Sequence, residues 1–255
     1  MTSPLLVTGG TGTLGRLVVG RLRAAGCEVR VLSRRSRAPG AGVEYVTGDL
    51  AKDEGITSAV QGAAVVVHLA SDKKGDAEAT RNLVRAASAQ DRPPHLVYIS
   101  IVGVDSLSFG YFRSKLASEQ IVAGSKLPWT TLRATQFYDL ILTGAQKAAK
   151  LPVVPVPSGF LVQPVDADEV AARLVDLALG RPSGRVPDMG GPKVSSAAEL
   201  IQGYLRATHR RRKVLPVRMP GTGPIRAGGL LVPDKPAGPA AGRRTWEEFL
   251  AARLR

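Results

Sequence analysis

One short stretch constrains this chain more than any other: Thr8-Gly9-Gly10-Thr11-Gly12-Thr13-Leu14-Gly15, directly after an apolar run, Pro4–Thr8, and directly before the helically spaced TLGRLVVGRLRAA. A glycine-rich turn between a strand and a helix is the context in which such a pattern carries meaning. Gly9 allows the tight turn, Gly12 lets backbone approach a pyrophosphate, and Gly15 allows close packing of helix on strand. The N–H groups across Thr11, Gly12, Thr13 and Leu14, at the positive end of the helix, then hold phosphate oxygens. The motif therefore predicts dinucleotide binding; its plain alternative is a glycine-rich turn with no ligand.

The rest of the N-terminal half agrees with a sheet that such a turn can open. Brief β-branched runs at Glu28–Ser33, Val43–Val46, Ala64–Leu69 and Leu96–Ser100 alternate with helical stretches near Asp53–Gln61 and Asp76–Ala89. Continuous apolar strands separated by amphipathic helices predict a parallel sheet covered on both faces, a Rossmann-type doubly wound α/β fold. Beyond about residue 150 the pattern loosens. Prolines and glycines crowd Pro152–Gly159, a helix starts near Asp166, Ser196 and Glu199 form a capping box, and Thr245–Arg253 closes with a helix. Met219–Gly242 is the least regular part. The expected organisation is a binding core over residues 1–150 and a smaller C-terminal substrate lobe over 151–255, packed as one structural unit.

The second strand bears on the choice of dinucleotide. An NAD site places a carboxylate about 20 residues past the glycines to hold the ribose 2′-hydroxyl. Here the strand ends Ser33-Arg34-Arg35, with no acid. Guanidinium groups at that place grip a 2′-phosphate, so NADP is the expected cofactor; the competing view makes both arginines surface charges.

TGGTGTLG, GDL at Gly48–Leu50, YFRSKLASE at Tyr111–Glu119, LRATQF at Leu132–Phe137 and QPVDADEVA at Gln163–Ala171 together resemble the atypical short-chain dehydrogenase/reductase group, in its NmrA-like branch. The matches run through most of the chain in order, and GRRTWEEFLA near the end is similar too. The resemblance implies an NADP-binding Rossmann core with a small C-terminal substrate lobe. It implies that Asp49 and Leu50 border the adenine, that Leu69, Ala70 and Ser71 run beneath the ribose, and that Thr135, Gln136 and Phe137 lie near the nicotinamide. Without it, Asp49 reads as a turn residue.

Ser100, Tyr111 and Lys115 are the catalytic candidates. Tyr111 and Lys115 are four positions apart and share a helix face. A lysine ammonium beside a phenol lowers its pKa and suits it to exchange a proton with a carbonyl, while Ser100 donates a hydrogen bond to the same oxygen. The alternative for Tyr111 is an amphipathic aromatic on a helix. Ser100 and Tyr111 are eleven positions apart, a shorter step than in the family's well-established reductases. Some NmrA-like members bind the cofactor without clear catalysis.

The expected activity is therefore NADPH-dependent reduction or dehydrogenation of a small carbonyl, quinone or similar substrate. The alternatives are a non-catalytic NADP(H)-binding redox sensor and an epimerase or isomerase that retains its nicotinamide. Three scattered histidines and one cysteine, Cys27, suggest no metal site and no internal disulfide. The net charge of +14 concentrates only in His209–Lys213, without interleaved aromatics, so a solvated arginine-rich surface is expected and no specific nucleic-acid partner. No apolar run spans a bilayer and MTSPLLVTGG lacks a basic leader, which points to a cytoplasmic protein with no membrane partner, monomeric or homodimeric.

Overall fold

β-Branched and aliphatic residues in short runs build the strands, and a glycine directly follows the first and third of them, at Gly9 and Gly48. The computed structural model describes residues 3–38, 40, 42–71, 75–220, 223–233 and 241–254. In chain order the elements are β1 (Leu5–Thr8), α1 (Thr13–Ala24), β2 (Val29–Ser33), β3 (Val43–Thr47), α2 (Ile56–Val60), β4 (Val65–His68), α3 (Asp76–Ser88), β5 (His95–Ile101) and α4 (Gly110–Ala123). There follow β6 (Trp129–Ala134), α5 (Tyr138–Ala148), β7 (Val153–Pro157), β8 (Leu161–Val162), α6 (Ala167–Leu179), β9 (Gly184–Arg185) and β10 (Ser195–Ser196). The chain continues through α7 (Ala197–Ala207), β11 (Lys213–Val217), α8 (Gly223–Arg226) and α9 (Trp246–Arg253). Of the irregular Met219–Gly242 stretch, residues 221–222 and 234–240 lie outside the described residues.

The chain divides into two compact units. The first comprises Met1–Ser100, Ser108–Arg133 and Ala171–Val186; the second comprises Ile101–Leu107, Ala134–Val170 and Pro187–Arg255. A seven-stranded parallel sheet, in the order β3-β2-β1-β4-β5-β6-β9, is the frame of the first. This is the Rossmann-like architecture expected from the alternation of strands and helices. Leu6, Val66 and Leu96 belong to one buried cluster with Ile56 and Val60 of α2 and Leu83 of α3. Their strand neighbours Leu5, Val7, Val67 and Val97 are buried as well, and strand alternation turns them to the opposite face. There α1 packs on β1 and β2 and buries Val18 and Leu22. A sheet wrapped on both faces explains why its strands read as unbroken apolar runs.

One helix is shorter than its pattern suggests. The stretch Asp53–Gln61 yields helix only over Ile56–Val60, because Asp53 (φ 60°) and Gly55 (φ 68°) take the left-handed conformation and delay its start. In the second unit β7 pairs in parallel with β11 and β8 pairs antiparallel with β10. The Ser196–Glu199 capping box is present at the start of α7, and a second one, Thr245 with Glu248, starts α9. Tyr138, Trp246 and Phe249 form an aromatic cluster with ring centroids 5.2–5.6 Å apart. The Tyr138 hydroxyl donates to the Arg244 carbonyl and the Trp246 indole to that of Leu200. Among the described residues no helix is long and apolar enough to cross a membrane.

The basic run leaves the C-terminus of α7 and enters β11. Arg206 and His209–Lys213 line an open cleft of about 730 Å³ with Gln202 and Leu205. No tryptophan, tyrosine or phenylalanine lies among these residues, so apart from the His209 imidazole bases have nothing to stack on there. Any nucleic-acid association through this cleft is expected to be weak and insensitive to sequence. Neutralising Arg210, Arg211 and Arg212 should reduce the slope of log affinity against log salt by about one per residue. Anisotropy titrations with unrelated duplexes check this; tight preference for one duplex at physiological salt would contradict it.

Candidate functional site

The glycine turn is built by contacts no other residue would allow. Gly9 has φ 70°, and a Cβ there would sit 2.6 Å from the Ala70 nitrogen. A Cβ on Gly15 would lie 2.1 Å from the Gly9 carbonyl oxygen and 2.7 Å from the Gly10 Cα. Gly15 is thus required for packing the helix on the turn itself, rather than on a strand as the motif suggests. Gly12 differs: a Cβ would meet only the Gly9 oxygen, at 3.3 Å. Gly12 also caps α1, with no side chain capping the helix. Thr11 gives its carbonyl to the Arg16 guanidinium, while Thr13 and Leu14 open the helix. The first-turn N–H groups at this helix start are the donors an anion would use.

Ser33, Arg34 and Arg35 leave the end of β2. Ser33 is buried and its hydroxyl closes a turn with both the N–H and the carbonyl of Arg35, leaving Arg34 and Arg35 exposed. Arg30, three positions before Ser33 on the same strand, is committed to Glu44. Asp49 accepts the Ala51 N–H at 2.9 Å, the turn role its position suggests, and Leu50 is core, its carbonyl accepting from Asn82. Leu69 and Ala70 follow β4 and are tied to Thr8, Leu69 to its carbonyl and Ala70 to its hydroxyl. Thr135, Gln136 and Phe137 belong to the second unit. There Thr135 donates to the Gln163 carbonyl, Phe137 caps α5, and the buried Gln136 Oε1 has no hydrogen-bond partner among the described residues.

The catalytic candidates all fall in the first unit, around a buried polar spine. Thr8 donates to His68 Nδ1 (2.7 Å), His68 Nε2 donates to Thr80 Oγ1 (3.1 Å), and Thr80 donates to the Asp76 carbonyl. Burial, with the Lys115 charge adding to it, pushes His68 down to about 3, so the ring is neutral at ordinary pH. His68 is a buried core residue with both ring nitrogens hydrogen-bonded. Lys115 is 3% exposed and donates to the Tyr98 hydroxyl and the Ile99 carbonyl, each at 3.1 Å, with the Asp76 carboxylate 3.7 Å away. Ser71 donates to that same Asp76 oxygen at 2.7 Å and lies 3.4 Å from the Tyr111 hydroxyl.

Tyr111, 37% exposed, has not been tuned as the spacing predicts. Burial raises its phenol above the ordinary range, Ser71 opposes this and Asp76 adds to it; Lys115 has no part, because its ammonium is turned to Tyr98 and Ile99. The ammonium expected to lower this phenol is directed instead at Tyr98 and Ile99. A raised phenol keeps its proton and so suits a donor. Ser100 is 1% exposed and its hydroxyl has no hydrogen-bond partner among the described residues. A buried orphan hydroxyl costs about 1–3 kcal/mol, which a bound polar group would recover. Asp76 and Tyr98 escape the sequence reading altogether. Asp76 looks like an ordinary acidic residue in the first turn of a helix, and Tyr98 looks like strand core.

Residues 9–179 match a protein-family model described as NAD(P)H-binding. Among curated proteins, the chain is 34% identical over 202 residues to (4-alkanoyl-5-oxo-2,5-dihydrofuran-3-yl)methyl phosphate reductase of Streptomyces griseus, covering 76% of this chain and 70% of that protein. It is 28% identical over 213 residues to the photosystem II assembly factor Ycf39 of Trieres chinensis, covering 77% of this chain and 66% of that one. Among solved structures, the NADPH-dependent quinone oxidoreductase of Escherichia coli, in complex with NADPH, superposes with a TM-score of 0.82 at 18% identity, over 98% of this chain and all of that one. At that identity the likeness is one of fold.

Proposed function

Because this chain belongs to the NAD(P)H-binding family, in its NmrA-like, atypical short-chain dehydrogenase/reductase branch, we propose that it is an NADPH-dependent oxidoreductase that reduces a small carbonyl, quinone or similarly activated substrate. The observation that carries the reading is the Tyr111 hydroxyl, partly exposed and keeping its proton, next to Ser71 and one helical turn from the buried Lys115 ammonium. The glycine turn suits a pyrophosphate: Gly9 and Gly15 leave no space for a side chain, and at Gly12 a Cβ would meet only the Gly9 oxygen, at 3.3 Å. In this reading Thr11 to Gly15 hold the pyrophosphate, Ser33, Arg34 and Arg35 the 2′-phosphate, and Asp49 and Leu50 the adenine. Leu69, Ala70, Ser71 and Lys115 hold the ribose, and Thr135, Gln136 and Phe137 the nicotinamide.

When bound, a dihydronicotinamide would supply a hydride. The protein's own task is to protonate the oxygen on which negative charge develops. Tyr111 gives the proton, Ser100 supplies a hydrogen bond to the same oxygen, and the fixed Lys115 charge favours the developing anion. A relative named as a reductase supports this chemistry. A second reading, a cofactor-loaded protein that turns nothing over, is favoured by the relative named as an assembly factor. Loss of reduced-nicotinamide absorbance across a panel of carbonyls and quinones separates the two. Saturable oxidation supports the reductase; tight NADPH binding with no oxidation by any member supports the sensor.

Cofactor choice has its own test. Arg34→Ala is expected to weaken NADPH about tenfold to a hundredfold and to leave NADH little changed, since a charge-assisted hydrogen bond is worth about 1.5–3 kcal/mol. Calorimetry with both cofactors measures it, and equal affinity of the unmodified protein for NADH and NADPH would contradict the assignment at once.

A further inference from the structure

Asp76 opens α3 with its side chain only 3% exposed, and a carboxylate so placed must be held by partners. Oδ2 accepts the Ser71 hydroxyl at 2.7 Å and faces Lys115 Nζ at 3.7 Å. Ser71 in turn lies 3.4 Å from the Tyr111 hydroxyl. One carboxylate oxygen therefore faces Lys115 directly and reaches Tyr111 through the Ser71 hydroxyl. Asp76 and Lys115 are far apart in sequence, but α3 packs along α4 and brings them together.

We propose that Asp76 is a positioning residue that fixes the Lys115 ammonium and, through Ser71, the Tyr111 hydroxyl. The assignment rests on the reading of Tyr111 and Lys115 given above. Ser71 spends its one proton on Asp76, so toward Tyr111 it presents a lone pair. The phenol O–H is thereby drawn to Ser71, which sets the hydroxyl's direction. Lys115 has three protons, and Tyr98, the Ile99 carbonyl and Asp76 are three acceptors around it. Burial alone would strip its charge; Asp76 is the largest influence that opposes burial, with Glu119 a lesser one. Glu119 is already bound in bidentate fashion by Arg133. The other groups packed against Asp76 and Lys115 are the neutral His68 on β4, Tyr98 on β5, Thr80 on α3, and Tyr111 and Ser118 on α4. None of these supplies a second anion.

The test reads Lys115 directly in the full chain without cofactor. Titration of the lysine 13Cε resonances, with Lys115 assigned through Lys115→Met, follows its ammonium. In Asp76→Asn the amide oxygen still accepts from Ser71 but the charge is gone, and the Lys115 midpoint is expected to fall by about one to three pH units. Ser71→Ala should leave that midpoint unmoved, since the Asp76 charge beside Lys115 stays in place. With a turned-over substrate, Asp76→Asn should lower kcat far more than it raises KM. If Asp76→Asn does not fold, the double variant Asp76→Asn with Lys115→Met is expected to recover a cooperative melt, because the stranded charge is removed with its partner. A folded Asp76→Asn with an unmoved Lys115, or a double variant no more stable than the single, overturns the assignment. A shifted Lys115 in a protein that oxidises NADPH with no substrate sinks the reductase reading alone and leaves Asp76 as the group that fixes Lys115.

Discussion

Replacing Tyr111 by phenylalanine is expected to lower kcat by about 10²- to 10⁴-fold while leaving NADPH affinity almost unchanged. The change removes one oxygen from a side chain already 37% exposed, so packing is nearly conserved and the loss reports on proton transfer. The phenol held above its ordinary value adds a sign to the prediction. A group with a raised pKa remains protonated further into alkaline solution, so the donor form persists as pH rises. Reduction by the unmodified protein should not lose rate through Tyr111 until pH exceeds about 10, the ordinary phenol value. The kcat profile across the alkaline range checks the sign, and stopped-flow comparison of Tyr111→Phe checks the size. A loss below about threefold, well under what general acid catalysis contributes, would leave Tyr111 as a helix-surface aromatic and pass proton delivery to Ser100 or water.

Valine at Gly12 and valine at Gly15 should both abolish dinucleotide binding, for different reasons and with different effects on the fold. At Gly12 the nearest obstruction to a Cβ is the Gly9 oxygen at 3.3 Å, so the turn yields slightly and the fold survives. The side chain then occupies the space through which a pyrophosphate approaches the backbone, and affinity is lost. At Gly15 the Cβ would overlap the Gly9 carbonyl oxygen at 2.1 Å and the Gly10 Cα at 2.7 Å. These are backbone atoms that cannot swing aside, so the turn itself must move. Melting curves and NADPH calorimetry on the two variants check this. The expected pattern is a small fall in Tm for Gly12→Val and a large one for Gly15→Val, with binding absent from both. NADPH affinity undiminished in Gly12→Val would show that the turn does not hold the cofactor.

The N-terminal half was legible because its signals are local. Strand, turn and helix around Gly9–Gly15 are specified by residues within a few positions of one another, and the alternation of apolar runs with amphipathic stretches suffices for a wrapped parallel sheet. The Ser196–Glu199 capping box is local in the same way. Where a local signal was misread, the cause was local too. The apolar spacing of Asp53–Gln61 said nothing about the left-handed backbone at Asp53 and Gly55 that shortens α2.

Other features depended on distance. β9 lies late in the chain yet pairs with β6 at the sheet edge, and β7 finds β11 some 60 positions on. Nothing in the spacing of GR or KVLPV announces such partners, because a strand's pairing is decided by what else needs covering. The candidate site shows the same division. That Tyr111 and Lys115 share a helix face follows from their spacing alone. That Lys115 turns inward to Tyr98, Ile99 and Asp76, and so does not lower the phenol, was decided only when β5, α3 and α4 packed together. The sequence by itself determined a Rossmann-type core, its glycine turn and the helix that carries the tyrosine–lysine pair, since steric and periodic rules act over a few residues. Tertiary structure decided which charges are buried and against what, as between Thr8 and His68, 60 positions apart, because desolvation and hydrogen bonding depend on neighbours in space that chain order does not specify.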